Sequence, residues 1–359
     1  MNRDRINRVI EKMKENSLGQ MIISDPYAIF YLTGNLIDPG ERLLAFYLND
    51  KGSAKLFVNE LFPQEISSDF EIIYYNDIED GVKIIAKAIG NDRLIGIDKK
   101  WPAMFLLSLQ EIFPEKKYVN ASFIVDQVRS IKDKEERRLM RESSQINDKV
   151  MADIVKLVSK GYTEIELGEK LKELYKKYGA SDFSFSPITA YGKNGADPHH
   201  VTDKTKGKRG DSVVIDIGGL YKGYCSDMTR TVFIGEVSDK KREVYEIVKE
   251  ANLRGIAAAK PGNRMSDVDK QARSYIEEKG YGKYFTHRTG HSIGIEAHEA
   301  GDVSAVNDDI IRPGQIFSVE PGIYLPDDDF GVRIEDLVLV NEDGNEVLNS
   351  YTKDLLVIE

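Results

Sequence analysis

The residues able to do chemistry are concentrated late in the chain. All five histidines, His199, His200, His287, His291 and His298, fall within one hundred residues of the carboxyl half. Core packing accounts for many single histidines, so the set is judged by its neighbours. In SVVIDIGGLYKGYCSDMTRTVFI, two apolar strands flank a turn containing Gly and Tyr, with Asp216 inside the first strand and Asp227 opening the second. Burying a lone carboxylate is costly, so such aspartates are expected to be paired, protonated or bound to metal. A turn aspartate plus a strand-end salt bridge to Arg230 is the plainer alternative for this segment.

Two further segments repeat the pattern. Glu320 ends an apolar strand before a Pro-Gly turn in GQIFSVEPGIYLP, and Glu335 lies inside another apolar strand in GVRIEDLVLV. In THRTGHSIGIEAHEAG, His291 and His298 are flanked by glycines that permit close backbone approach. Their spacing of seven does not match the i, i+4 pair of a zincin helix, so one can be a ligand and the other a catalytic donor. Four carboxylates in apolar strands, joined by a histidine, repel one another unless cations lie between them. An oxygen-rich set with one imidazole suits manganese, cobalt or zinc, and four carboxylates neutralise two divalent ions.

The scaffold that must position these residues is legible in outline. At 359 residues the chain exceeds the roughly 250 to 300 at which a single core stops growing, so two domains are expected. Ile6, Val9, Ile10 and Met13 fall at helical spacing, and MIIS from Met21 reads as a buried strand. Strand-like runs at 43–48, 54–58 and 94–97 alternate with helical patterns such as GVKIIAKAI, giving an α/β domain over 1–125 that contains no histidine. A charged amphipathic stretch from about Lys132 predicts a long helix opening the second domain, 132–359. Thr163 and Glu166 fit a capping box for a helix to Lys177, and helices near 238–260 and 265–279 interrupt the later strands, an α+β pattern.

Composition narrows the function classes. The net charge of −10 with interspersed basic residues gives no electrostatic footprint for nucleic acid or an anionic membrane. Cys225, the single cysteine, excludes an intrachain disulfide and a tetrathiolate zinc site. The N-terminus is charged where a secretory leader needs an apolar run, and no stretch reaches the about 18 apolar residues of a membrane helix. A cytoplasmic, unprocessed protein is the expectation.

Taken in order, DIGG, SDMTRT, TGHSIG, EPGIY and GVRIED resemble the creatinase and methionine aminopeptidase superfamily, peptidase family M24, over about 132–359. The resemblance implies a pita-bread catalytic domain in which Asp227 and Glu335 bridge two divalent ions. Asp216 would complete one ion, and His291 with Glu320 the other, with manganese expected over cobalt or zinc. It also places His199, in ADPHHVTD, and His298, in EAHE, as donors to the substrate or its tetrahedral intermediate. Glu320 would double as the proton shuttle between the attacking water and the leaving nitrogen. His200 has no counterpart and reads as a solvated loop histidine.

The additional α/β domain is similar to the N-terminal domain of creatinase and of proline-directed members. Methionine aminopeptidases resemble the second half alone, and creatinases lack the metal set that is filled here. The activity implied is hydrolysis of the Xaa-Pro bond of dipeptides, as in bacterial Xaa-Pro dipeptidases. Aminopeptidase P, acting on longer peptides, is the alternative. A non-catalytic interaction protein on the same fold is a third reading, although such modules typically lose ligands. The segment YLTGNLIDPGERLLAFYL is similar to a dipeptidase loop that reaches over the partner subunit's site. That implies a homodimer and makes Asp38, Glu41 and Arg42 candidate substrate contacts. An ordinary surface turn with a Glu41–Arg42 charge pair is the alternative. Arg288, three residues before His291, could bind the free carboxylate of a dipeptide, and Arg333 in GVRIED joins the substrate-binding set. Gly301 stands where many proline-directed relatives have proline, which leaves that pocket wall open to change.

Overall fold

The computed structural model describes residues 2–359, which divide into two compact units, one running to Arg129 and the other from Ser130 to Glu359. In the first unit α1 (Asn2–Glu15) buries Ile6, Val9, Ile10 and Met13, the stripe its spacing predicts. There follow β1 (Gln20–Ile23), α2 (Pro26–Thr33), β2 (Ala45–Asn49), β3 (Ala54–Asn59), β4 (Glu71–Tyr75), α3 (Gly81–Ala86), β5 (Leu94–Ile97), α4 (Ala103–Ile112), β6 (Lys117–Asn120) and α5 (Ser122–Ser130). The strands form one mixed sheet in the order β4-β3-β2-β1-β5-β6. Ile22, Tyr47, Phe57, Ile95 and Trp101 belong to one core cluster against it. The charged loop before β2 is anchored at one end, where Arg42 donates Nε and Nη2 to Asp77 at 2.7 and 2.9 Å.

The second unit opens with α6 (Lys134–Ile154), capped by Asp133 in a reciprocal box with Glu136. Next is α7 (Glu164–Tyr178), capped by Thr163 and Glu166 as expected and closed at Gly179, whose φ of 92° puts it in the left-handed region that favours glycine. After β7 (Asp182–Phe183) and β8 (Ile188–Tyr191), β9 (Ser212–Ile217) pairs antiparallel with β12 (Met228–Ile234), Asp216 facing Thr229. Their connection is more than a turn. It is a small hairpin of β10 (Gly219–Tyr221) and β11 (Tyr224–Cys225), closed by Lys222 and Gly223 at φ 49° and 83°, as a two-residue primed turn requires.

Helices α8 (Asp239–Ala258) and α9 (Met265–Glu278) precede β13 (Gly290–His291), β14 (Asp302–Val303), β15 (Ile316–Val319), β16 (Gly322–Leu325), β17 (Phe330–Arg333), β18 (Asp336–Val340), β19 (Asn345–Val347) and β20 (Val357–Ile358). Glu335 is not inside a strand, contrary to expectation. It sits between β17, which pairs with β16, and β18, which pairs with β15, where the chain changes sheets. Its amide donates to the Thr229 carbonyl at 3.0 Å, tying that break to β12.

Arg230 does not pair with the aspartates of its own segment. Buried in β12, it donates to Asp336 at 2.7 Å and to the carbonyls of Thr352, Tyr351 and Glu335. Lys353 supplies a second cation to Asp336 at 2.8 Å, so this buried charge is matched rather than orphaned. Among the described residues no helix is long and apolar enough to cross a membrane.

Candidate metal centre

Five element ends converge. Asp216 lies in β9, Asp227 immediately before β12, His291 at the end of β13, Glu320 after β15 and Glu335 between β17 and β18. One ligand-capable atom each from the buried Asp227, His291 and Glu335 lies within 4.8 Å of the others. His291 Nε2 is 3.5 Å from Asp227 Oδ2 and 3.6 Å from Glu320 Oε1. Its Nδ1 faces the Ser292 carbonyl at 3.2 Å. A carbonyl only accepts, so Nδ1 carries the proton and the Nε2 lone pair is aimed at two carboxylates.

That arrangement is repulsive unless a cation lies within it. Burial raises the Asp227 and Glu335 carboxyls well above their usual range, and mutual repulsion with Asp216 and Glu320 adds to the rise. Asp216 is raised too, by burial first, with Arg333 acting in the opposite sense. Asp216 Oδ1 and Asp227 Oδ1 are buried atoms without a hydrogen-bond partner. Buried oxygens are normally satisfied, so two orphans beside an aimed imidazole lone pair fit a divalent cation site.

Three other oxygens of the cluster are held by neutral or cationic donors. Thr229 Oγ1 donates to Glu335 Oε2 at 2.8 Å, and Ser318 Oγ sits 3.2 Å from Glu320 Oε1 while accepting the His291 amide at 3.0 Å. Arg333, expected among substrate contacts, is buried and braces the cluster from one side. It donates Nη2 to Asp216 Oδ2 at 2.6 Å, Nε to Thr229 Oγ1 at 3.2 Å and Nη1 to Tyr324 Oη at 2.9 Å and the Pro198 carbonyl at 3.3 Å. Tyr324 in turn reaches His287 Nε2 at 2.8 Å. His287 Nδ1 donates to the Arg288 carbonyl at 2.7 Å, so Nε2 accepts and Tyr324 is the donor.

Such bracing residues typically contribute ten- to a hundredfold to metal affinity or activity. Arg333→Lys keeps the charge but not the fork, and kcat is expected to fall by about tenfold or more with an unchanged circular dichroism spectrum.

His298 stacks edge-on against His291, ring centroids 4.1 Å apart. Partial burial first, then His291 and Arg288, push its basicity down to about 4, so it is neutral at pH 7. His199 is exposed on the loop after β8, its amide donating to Asp197 Oδ1 at 3.0 Å. His200 is not the solvated residue expected: its Nε2 is 2.7 Å from the fully buried Glu164. Arg288 is exposed and lines a groove of about 350 Å³ together with Glu299, Gly301, Asp302, Val306 and Asn307. Asp38 and Glu41 are exposed on the first unit, where Glu41 pairs with Arg42 at 3.0 Å. Tyr324, Thr229 and Ser318 escaped the sequence reading, and His287 was counted among the histidines without a role. The only signal was a Thr, Ser or Tyr next to or near each ligand, too common a pattern to single out.

Fold and site together define a carboxylate-rich centre with one imidazole on a strand framework, a set of groups that could hold divalent ions. The profile of metallopeptidase family M24 matches residues 138–342, and that of the creatinase/prolidase N-terminal domain matches residues 5–131. An uncharacterized peptidase of Staphylococcus aureus strain USA300 is 34% identical over 352 residues, 97% of this chain and 99% of that one. The structure of an Xaa-Pro dipeptidase from Bacillus anthracis superposes with a TM-score of 0.92 at 32% identity, covering 100% of both chains. A prolidase from Pyrococcus horikoshii superposes with a TM-score of 0.90 at 32% identity, over 98% of this chain and 100% of that one. The chain belongs to metallopeptidase family M24, with a creatinase-like N-terminal domain ahead of the catalytic one. It is therefore a peptidase.

Proposed function

We propose that this chain is a dinuclear-metal Xaa-Pro dipeptidase. The observation that carries the reading is the convergence of the partnerless Asp216 and Asp227 oxygens with the His291 lone pair, Glu320 and Glu335. Asp216, Asp227, His291, Glu320 and Glu335 would hold two divalent ions, with manganese favoured over cobalt or zinc by the oxygen-rich donor set. When bound, such ions acidify a water and polarise the scissile carbonyl.

The chain's own residues then have distinct tasks. Glu320, steadied by Ser318, takes the proton from the attacking water and returns it to the proline nitrogen as the C–N bond breaks. His298, held neutral, and His199 donate to the oxygen that gains charge at the carbonyl. Arg333 fixes Asp216, and through Thr229 it steadies Glu335. Arg288 faces the groove as an exposed cation and binds the substrate's terminal carboxylate. The protein acts in the cytoplasm as a homodimer, its exposed Asp38 and Glu41 presented to the partner's substrate from a loop anchored at Arg42.

Aminopeptidase P is the second reading. The observation favouring it is the groove of about 350 Å³ that Arg288 lines, a volume large enough for a further residue. Comparing Ala-Pro with Ala-Pro-Ala hydrolysis by manganese-loaded enzyme separates the two. Dipeptide preference is expected, and Arg288→Ala should raise KM for Ala-Pro by roughly tenfold or more with little change in kcat, the size of one lost charge-assisted hydrogen bond. Efficient tripeptide cleavage, indifferent to Arg288, moves the assignment to aminopeptidase P.

A further inference from the structure

His200 and Glu164 have no part in the chemistry above, yet they form a densely bonded polar contact outside the centre. Glu164 is the first residue of α7 and is fully buried. Its Oε1 accepts from the Tyr191 amide at 3.0 Å and from Asn194 Nδ2 at 2.9 Å. Its Oε2 accepts from His200 Nε2 at 2.7 Å and from the Asp203 amide at 2.9 Å. A carboxylate only accepts, so Nε2 of His200 carries a proton whichever form the ring takes. A carboxylate has about four acceptor directions, and all are filled by N–H donors. Although Glu164, His200 and Asp203 are spaced closely enough for a metal ion, they form a hydrogen-bond hub instead.

The hub closes one loop. Tyr191 ends β8, Asn194 and His200 lie along the chain that follows, and Asp203 ends it, where its carbonyl accepts the Ile165 amide of α7 at 3.1 Å. Between these fixed points lie Pro198, whose carbonyl accepts from Arg333, and His199. The His199 amide is bonded to Asp197, and the His200 amide to the Asp197 carbonyl at 3.2 Å. Among the described residues the His199 side chain makes no hydrogen bond, so its direction is set by its backbone. The backbone is pinned on one side by Asn194 and on the other by its immediate neighbour, His200.

We propose that His200 is a positioning residue: its bond to Glu164 sets the direction of His199. The inference rests on the function assigned to His199 above. An exposed histidine on an unpinned loop would sample many directions, and ordering it only on reaching the transition state costs rate, not substrate affinity.

The test is a double-mutant cycle on manganese-loaded enzyme with Ala-Pro as substrate. His200→Ala is expected to lower kcat by about tenfold with KM within about twofold, and His199→Ala by about a hundredfold. His200→Gln, whose amide can still donate to Glu164, should recover most of the loss. Because His200 acts through His199, the double variant should match His199→Ala within about twofold.

Losses that multiply in the double variant, or a His200→Ala enzyme with wild-type kcat beside an impaired His199→Ala, overturn the latch alone. Wild-type kcat in His199→Ala overturns both the latch and the oxyanion assignment on which it rests. Melting temperatures of all four proteins show whether a loss of kcat is a loss of fold. If His200→Ala melts below the assay temperature, the same comparison made with His200→Gln and His200→Asn decides it: recovery by Gln and not by Asn is required.

Discussion

Glu320→Ala should lose Xaa-Pro turnover by about three orders of magnitude or more and bind its divalent ions more weakly. Two separate losses combine. Glu320 contributes one of the carboxylate oxygens around His291 Nε2, at 3.6 Å, and it is the only one of the four site carboxylates assigned a moving proton. At 16% side-chain exposure it is also less enclosed than Asp227 or Glu335, at the place where a base must meet both water and substrate. Glu320→Gln separates the two effects. The amide oxygen can still face the cation while accepting no proton, so metal binding should recover further than kcat does. Wild-type kcat in either variant would refute the shuttle assignment, and isothermal titration with manganese reads the binding half.

The second large effect concerns stability, and its sign is set by burial. Asp227 and Glu335 are held well above their ordinary values of 3.8 and 4.5, by desolvation first and by repulsion from neighbouring carboxylates second. An acid whose folded pKa exceeds its unfolded one contributes stability that is fully present below the unfolded value and lost as pH rises through the folded value. Chelator-treated protein should therefore melt at progressively lower temperature as pH climbs from about 4 toward the alkaline side. Asp227→Asn removes one of these titrations. Its metal-free form should show the flatter profile and, at neutral pH, the higher melting temperature of the two.

Saturating manganese reverses that order, because an ion at a hundred times its Kd adds about 2.7 kcal/mol to a protein that binds it and nothing to one that does not. Calorimetry of both proteins, with and without metal, checks the crossing. Identical pH profiles for the two metal-free proteins would remove the repulsive site from the account.

Much of this cluster is legible in the sequence, because each of its members is a polar residue in apolar surroundings. Asp216 and Asp227 stood out for that reason, and their antiparallel strands do bring them together. Glu335 stood out equally but was placed inside a strand. The apolar run on either side of it is continuous, and nothing in a run of Val, Ile and Leu tells which sheet each half joins. Arg333 is legible as a charge in an apolar run, but its bond to Asp216 at 2.6 Å joins residues 117 positions apart and leaves no local signature.

His200 shows the converse. Its partner Glu164 lies thirty-six positions earlier, at a helix start where an acid is favoured by the helix dipole alone, so the pair left no local signature. The helices were the easier part. The capping box at Thr163 is written within four residues and needs no tertiary contact to be read.

The central claim is that Asp216, Asp227, His291, Glu320 and Glu335 hold two metal ions on which peptide cleavage depends. Its most direct test measures Ala-Pro hydrolysis and bound manganese together while chelator-stripped protein is reloaded. The account predicts no turnover from the stripped protein and recovery that rises with manganese to a plateau at two ions per chain. Full turnover by protein shown to carry no divalent ion would contradict it.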